Sequence, residues 1–276
     1  MKKIYISADT EGLNGVTSFR QVLPEYAAEY QTMRQELHEE LNALIKGLKK
    51  GGIKEIVIND AHNTMTNIIL SELPKDVTLI SGKPKKISMM HGLDKSFDGV
   101  ILFAYHAMAT SDGVLAHTFN MFFKSVWLNG EKIGEAKLNG IYAQTIGVPI
   151  VLASGDNIFK EEIRREIGDV KVIQTKTAIT DTACTCRKRE ELLKEYEHAG
   201  KEIKKLSKHA YNTSDNYELK VELHDEDVAQ EVAKATQLKA DGKFLIFNST
   251  DYTEIYTTLQ KISAEVTSRK SRNQQV

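Results

Sequence analysis

Asp9 and Glu11 stand two positions apart at the end of an apolar run, Ile4-Tyr5-Ile6-Ser7-Ala8. Side chains of a strand alternate faces, so the two carboxylates point one way and Thr10 the other. Side by side they repel each other unless a proton or a cation lies between them. Histidines follow two later strand-like runs, His62 in Asn59-Asp60-Ala61-His62 and His106 in Tyr105-His106-Ala107. Glu135 opens a helical segment beyond a hairpin. Asp9, Glu11, His62, His106 and Glu135 thus form a set of oxygen and imidazole donors suited to a pair of divalent metals.

A charge count supports that reading. Two divalent ions bring four positive charges, and Asp9, Glu11 and Glu135 return three negative ones. A bridging hydroxide would complete neutrality, which a poorly hydrated crevice favours, and such a hydroxide is a strong nucleophile at neutral pH. The short side chain of Asp9 makes it the candidate for the shared ligand. His117, in Ala116-His117-Thr118, is a third ligand, a hydrogen-bond donor behind the ligands, or an acid/base. His91, His198, His209 and His224 lie in charged or helical surroundings and are expected to be solvated. Lys83-Pro84-Lys85-Lys86 reads as a solvated turn. Cys184 and Cys186 have no neighbouring Cys or His to complete a soft-metal site.

The elements that must position these groups alternate between strand and helix. After the first strand, apolar residues at Met33, Leu37, Leu41, Leu44, Ile45 and Leu48 keep helical spacing until Gly51-Gly52 stops them. Residues 53–59 and 77–81 read as strands, and 99–105 as a strand buried on both faces. Residues 126–133 read as a hairpin turned by Asn129-Gly130, 135–147 as a helix and 149–153 as a strand. The order predicts an α/β fold, a mostly parallel central sheet flanked by helices, whose ligands bind beyond the carboxyl ends of its strands. Beyond about Thr180 a charged helix (187–208), a strand (217–223), a helix from Asp225, a strand (243–247) and a final helix suggest a smaller C-terminal α+β unit. The expected division is a catalytic domain over 1–180, the α+β unit over 181–267 and a structureless tail over 268–276.

Composition narrows the partners. The 276 residues, 41% hydrophobic and 27% charged, suit a globular protein with a sizeable core. A net charge of -1 gives nucleic acid and anionic membrane surfaces no purchase. No apolar run approaches the roughly 20 residues that span a bilayer. Met1-Lys2-Lys3 looks like the start of a leader, but the apolar stretch behind it ends at Asp9, and with two cysteines the expected location is cytoplasmic.

Ser7-Ala8-Asp9-Thr10-Glu11-Gly12 resembles the S-x-D-x-E-G signature of the M55 family of zinc D-aminopeptidases. Asn59-Asp60-Ala61-His62, Tyr105-His106-Ala107, Ala116-His117-Thr118 and Asn129-Gly130-Glu131 with Gly134-Glu135 resemble its later blocks, in order. The likeness is strongest over about the first 160 residues. It implies two zinc ions per chain, with Asp9 bridging, Glu11 and His106 on one ion, and His62 and Glu135 on the other. It implies His117 as the catalytic histidine and D-residues at the amino terminus of the short peptides or amino-acid amides cleaved; the site itself suits attack by a metal-activated hydroxide with His117 assisting, as nucleophile or as general acid/base. It also implies a ring-like homo-oligomer, a decamer among its candidate sizes. Two other readings compete with it. A dimetal phosphoesterase or another amidohydrolase would use the same ligands, although no arginine cluster stands beside the motif to hold phosphate. A protein using zinc only as a structural staple would favour cysteine-rich tetrahedra.

Overall fold

The computed structural model describes residues 1–273, with side chains through Arg269. In chain order the elements are β1 (Lys3–Ala8), α1 (Phe19–Val22), α2 (Ala27–Lys50), β2 (Glu55–Asp60), β3 (Thr78–Ile80), β4 (Gly99–Phe103), β5 (Phe123–Leu128), β6 (Glu131–Lys132), α3 (Glu135–Thr145) and β7 (Ile150–Gly155). They continue with α4 (Asn157–Ile167), β8 (Val172–Gln174), β9 (Lys176–Thr180), β10 (Ala183–Cys186), α5 (Arg189–Lys201), β11 (Tyr217–Leu223), α6 (Glu226–Thr236), β12 (Lys239–Asp241), β13 (Phe244–Ser249) and α7 (Tyr252–Asn273).

The first sheet has six strands in the order β3-β2-β1-β4-β7-β8, all parallel, so the α/β expectation holds. Strand order turns back between β1 and β4, and there adjacent loops lead away from each other and leave a crevice. Each strand alternates between two cores. Ile4, Ile6 and Ala8 of β1 pack with α2 and α5, while Tyr5 packs toward α3 and the second sheet. β4 is buried along its whole length, as its unbroken apolar sequence requires.

The second sheet is antiparallel, in the order β12-β13-β11-β5-β6. It recruits the β5–β6 hairpin, whose Asn129 and Gly130 both have positive φ, as a type I′ turn demands. The smaller α+β layer therefore takes strands from both sides of residue 180, and the β9–β10 ribbon runs across that position. A sequence boundary drawn from local texture misses this, because strand pairing is non-local. The tail expected from residue 268 continues α7 as far as Asn273, with Arg269 paired to Glu231 at 2.5 Å, and residues 274–276 lie outside the described residues.

Candidate metal centre

Asp9 and Glu11 leave the carboxyl end of β1, His62 that of β2 and His106 that of β4. Glu135 is the first residue of α3, where the helix N-terminus favours a carboxylate. His117 lies in the loop between β4 and β5. All six come together, and the five expected ligands are at most 8% exposed.

They form two groups. His62 Nδ1 is 3.1 Å from Glu11 Oε2 and 3.3 Å from Asp9 Oδ1. His106 Nε2 is 3.6 Å from Asp9 Oδ2 and 3.4 Å from Glu135 Oε1, and His117 Nε2 is 3.7 Å from Glu135 Oε1. Asp9 thus presents one oxygen to each group, as a shared ligand would. The pairing of Glu11 with His106 and of His62 with Glu135 is not what the geometry favours. Sheet order explains the exchange: β2 and β4 flank β1 on opposite sides, so Glu11 turns toward β2 and α3 brings Glu135 over β4.

Each imidazole is oriented from behind by a main-chain carbonyl. His62 Nε2 meets Val22 O at 2.8 Å, His106 Nδ1 meets Ala107 O at 3.0 Å, and His117 Nδ1 meets Leu115 O at 2.9 Å. A carbonyl only accepts, so those nitrogens donate and the opposite nitrogen of each ring faces the carboxylates. This is the arrangement that outer partners impose on metal-binding histidines. Buried Asp9 Oδ2 and His106 Nε2 have no hydrogen-bond partner, although they face one another. A carboxylate–imidazole set with inward lone pairs and orphaned buried atoms fits a pair of divalent cations.

The electrostatics agree. Burial and the adjacent Glu11 push the Asp9 carboxyl up to about 8. Burial works against charge on His106 and His62, but the surrounding carboxylates outweigh it, carrying His106 to about 10 and His62 well above its ordinary range. Burial would raise Glu11 and Glu135 too, yet the neighbouring imidazoles hold both below the ordinary range. With only protons to fill it, the site collects them. His117 behaves in the opposite way, since burial and the charge of His106, stacked on it at 3.9 Å, draw its pKa down.

The site opens into a cavity of about 820 Å³ whose apolar wall includes Phe19, Leu23, Phe119 and Phe122. Among the described residues no arginine lines it, which leaves a phosphoesterase without its usual anion clamp. Gln260, Ser263, Ala264 and Thr267 of α7 line it too, a contribution that only the tertiary fold reveals.

The basic turn is not wholly solvated. Lys85 is buried, donating to Asn59 Oδ1 at 2.7 Å and Asp60 O at 2.6 Å, and burial takes its pKa down to about 8. It ties down the strand end that carries His62. His209 is also half-buried, with Nδ1 against Ile167 O at 2.9 Å. Beneath the site Tyr256 OH donates to Asn139 Oδ1 at 2.6 Å, Asn139 Nδ2 donates to Tyr105 OH at 2.8 Å, and that hydroxyl is 2.7 Å from Ser7 Oγ. The chain links α7, α3, the segment just beyond β4, and β1, and no local spacing announces it.

A parallel sheet with a crevice of carboxylates and imidazoles at its switch point is the framework of a metal-dependent hydrolase. The chain belongs to peptidase family M55, described as D-aminopeptidase, which matches residues 1–261 and so reaches well past the first 160. A D-aminopeptidase of Bacillus subtilis (strain 168) is 32% identical over 184 residues, 67% of either chain. Among solved structures, the Zn-dependent D-aminopeptidase DppA from Bacillus subtilis, described as a self-compartmentalizing protease, is similar with a TM-score of 0.90 at 26% identity, covering 96% of this chain and 98% of that one. Among the described residues no helix is long and apolar enough to cross a membrane.

Proposed function

We propose that the protein is a dinuclear zinc aminopeptidase that releases amino-terminal D-residues from short peptides or amino-acid amides. Membership of the D-aminopeptidase family supports the activity. The observation that carries the metal reading is the aim of the side chains: the imidazoles of His62 and His106 face the two oxygens of one carboxylate, Asp9, from opposite sides. Asp9, Glu11 and His62 would hold one ion, and Asp9, His106 and Glu135 the other. Bound zinc supplies a Lewis acid for the scissile carbonyl and acidifies water.

His117 handles the proton. Its Nδ1 donates to Leu115 O, its pKa is lowered, and its Nε2 lone pair borders the cavity, so it is neutral and able to accept a proton at neutral pH. The same nitrogen then gives that proton to the departing amine. Phe19 packs edge-on against the His117 ring at 6.1 Å and helps to keep water from it. The apolar wall receives the substrate side chain.

Metal analysis paired with D- and L-aminoacyl p-nitroanilides tests this. About two zinc ions per chain, turnover of the D-substrates, and loss of turnover on chelation are expected. Full activity in metal-free protein would refute it, and turnover of p-nitrophenyl phosphate instead would favour the phosphoesterase. The reading extends to a ring-like homo-oligomer, a decamer among its candidate sizes, supported by the likeness to a structure described as a self-compartmentalizing protease. Light scattering measures that number directly.

A further inference from the structure

The loop after Glu11 is gripped from every side, and one of the grips has no catalytic assignment. Asp9 N donates to Phe103 O at 2.9 Å and Gly12 N to Ala104 O at 2.8 Å, so the loop is laid against the end of β4. A Cβ at Gly12 would collide with Tyr105 O, which sets how closely the two segments lie. Glu40 of α2 accepts from Asn14 N at 2.9 Å. The third wall is the start of β9. Thr175 Oγ1 donates to Gly12 O at 2.5 Å. Lys176 Nζ donates to Glu11 O at 2.5 Å, Leu13 O at 2.9 Å and Val16 O at 2.5 Å.

Lys176 is fully buried, and its ammonium uses all three donors on main-chain carbonyls. Among the described residues no carboxylate lies within ion-pair distance of it. A charge buried that deeply is expensive to place unless its partners are already arranged around it. Here the partners are three carbonyls of one turn, which the ammonium pulls toward a single point. The first of them belongs to Glu11, whose side chain faces His62.

We propose that Lys176, with Thr175, is a positioning residue for the metal centre, fixing the loop so that the Glu11 carboxylate is aimed at the cation it would share with Asp9 and His62. The inference rests on the dinuclear reading above. Its effect falls mainly on one ion, because Lys176 and Thr175 bond to the carbonyls of Glu11, Gly12, Leu13 and Val16 and to nothing on the segments that carry His106 and Glu135. Loss of an outer partner of a metal ligand typically weakens affinity about 10–100-fold.

The test is cobalt titration of metal-free protein, read by chelator competition and by the visible spectrum of bound cobalt, beside the unfolding midpoint of each metal-free variant. Lys176→Met keeps the length of the stem and removes the donors. About tenfold or greater weakening at one of two sites is expected, with a changed spectrum for that ion and unchanged affinity at the other. Thr175→Val removes a single bond, and a smaller loss at the same site is expected. Wild-type affinities at both sites in folded Lys176→Met would overturn the inference, as would equal weakening at both sites in step with a lowered midpoint. If Lys176→Met does not fold, Thr175→Val decides, and unchanged binding there also overturns it. Wild-type protein that binds no cobalt would instead overturn the dinuclear reading itself.

Discussion

Two interiors of this molecule are buried to the same depth by opposite means. Where α2 crosses α5, Gly47 faces Glu197 and Gly200 faces Leu44 and Leu48, so the helix backbones meet with no side chain between them. Around that crossing Leu41, Leu44, Leu48, Leu192 and Tyr196 fill the space, each less than 2% exposed. Around the carboxyl ends of β1, β2 and β4 the carboxylates of Asp9, Glu11 and Glu135 and the imidazoles of His62 and His106 are buried, with the His117 ring half-buried beside them. The helix crossing holds together as polypeptide by shape and apolar contact, with the buried Tyr196 hydroxyl the one group of those named that lacks a hydrogen-bond partner. The crevice is not complete, since its carboxylates repel and its imidazoles answer them only by holding protons. One region specifies the fold, and the other accepts a cost in stability in order to bind and react.

Substitutions in the two regions should therefore separate activity from stability. The largest effect is expected from His117→Ala, which would remove the proposed proton carrier and lower kcat by about 10²–10⁴-fold while the unfolding midpoint stays put. Metal content is expected to remain, and loss of an ion in the variant would make His117 a ligand. In the wild type, the lowered pKa of His117 places the acid limb of the kcat/KM profile below the ordinary imidazole value of 6.5. At the crossing, a Cβ on Gly200 would meet Leu44 O and Leu48 N at 2.7 Å. Gly47→Ala or Gly200→Ala is expected to cost about 1–3 kcal/mol in urea unfolding, with the metal content of the folded protein unchanged. A Gly200→Ala protein as stable as wild type would mean that the helices separate freely there.

The same contrast explains what could be read in advance. Periodicity is a local property, so the apolar stripe from Met33 to Leu48 and the buried run of β4 announce their elements directly. The six candidate site residues were visible because chemistry at strand ends has a restricted vocabulary, and a parallel sheet gathers those ends. Which histidine joins which carboxylate was not legible, because that depends on β1 lying between β2 and β4. The grouping of β5 and β6 with β11 was hidden for the same reason. Lys85 and Lys176 were harder still. In sequence each is an ordinary charged residue, and only the carbonyls of another segment, brought near by the fold, make a buried ammonium tolerable.

A change of pH alone, with no substitution, is the most direct probe of the incomplete interior. His106 keeps its proton to about 10 and Asp9 to about 8, both above their ordinary values. A group that binds its proton more tightly when folded stabilises the fold at low pH and loses that contribution as pH rises through the folded value. Metal-free protein should therefore lose stability between about pH 7 and 10, first as Asp9 ionises and then as His106 is neutralised. Glu11 and Glu135 do not offset this, because their lowered pKa values leave them ionised across the whole window. Divalent ions replace the protons with charge that does not titrate away, so the loaded protein should hold its unfolding midpoint over the same range. Paired urea titrations at pH 7 and 9.5, with zinc and with chelator, measure the difference. A metal-free protein whose stability stays level across that interval would show that the acidic crevice carries no electrostatic strain for a cation to relieve.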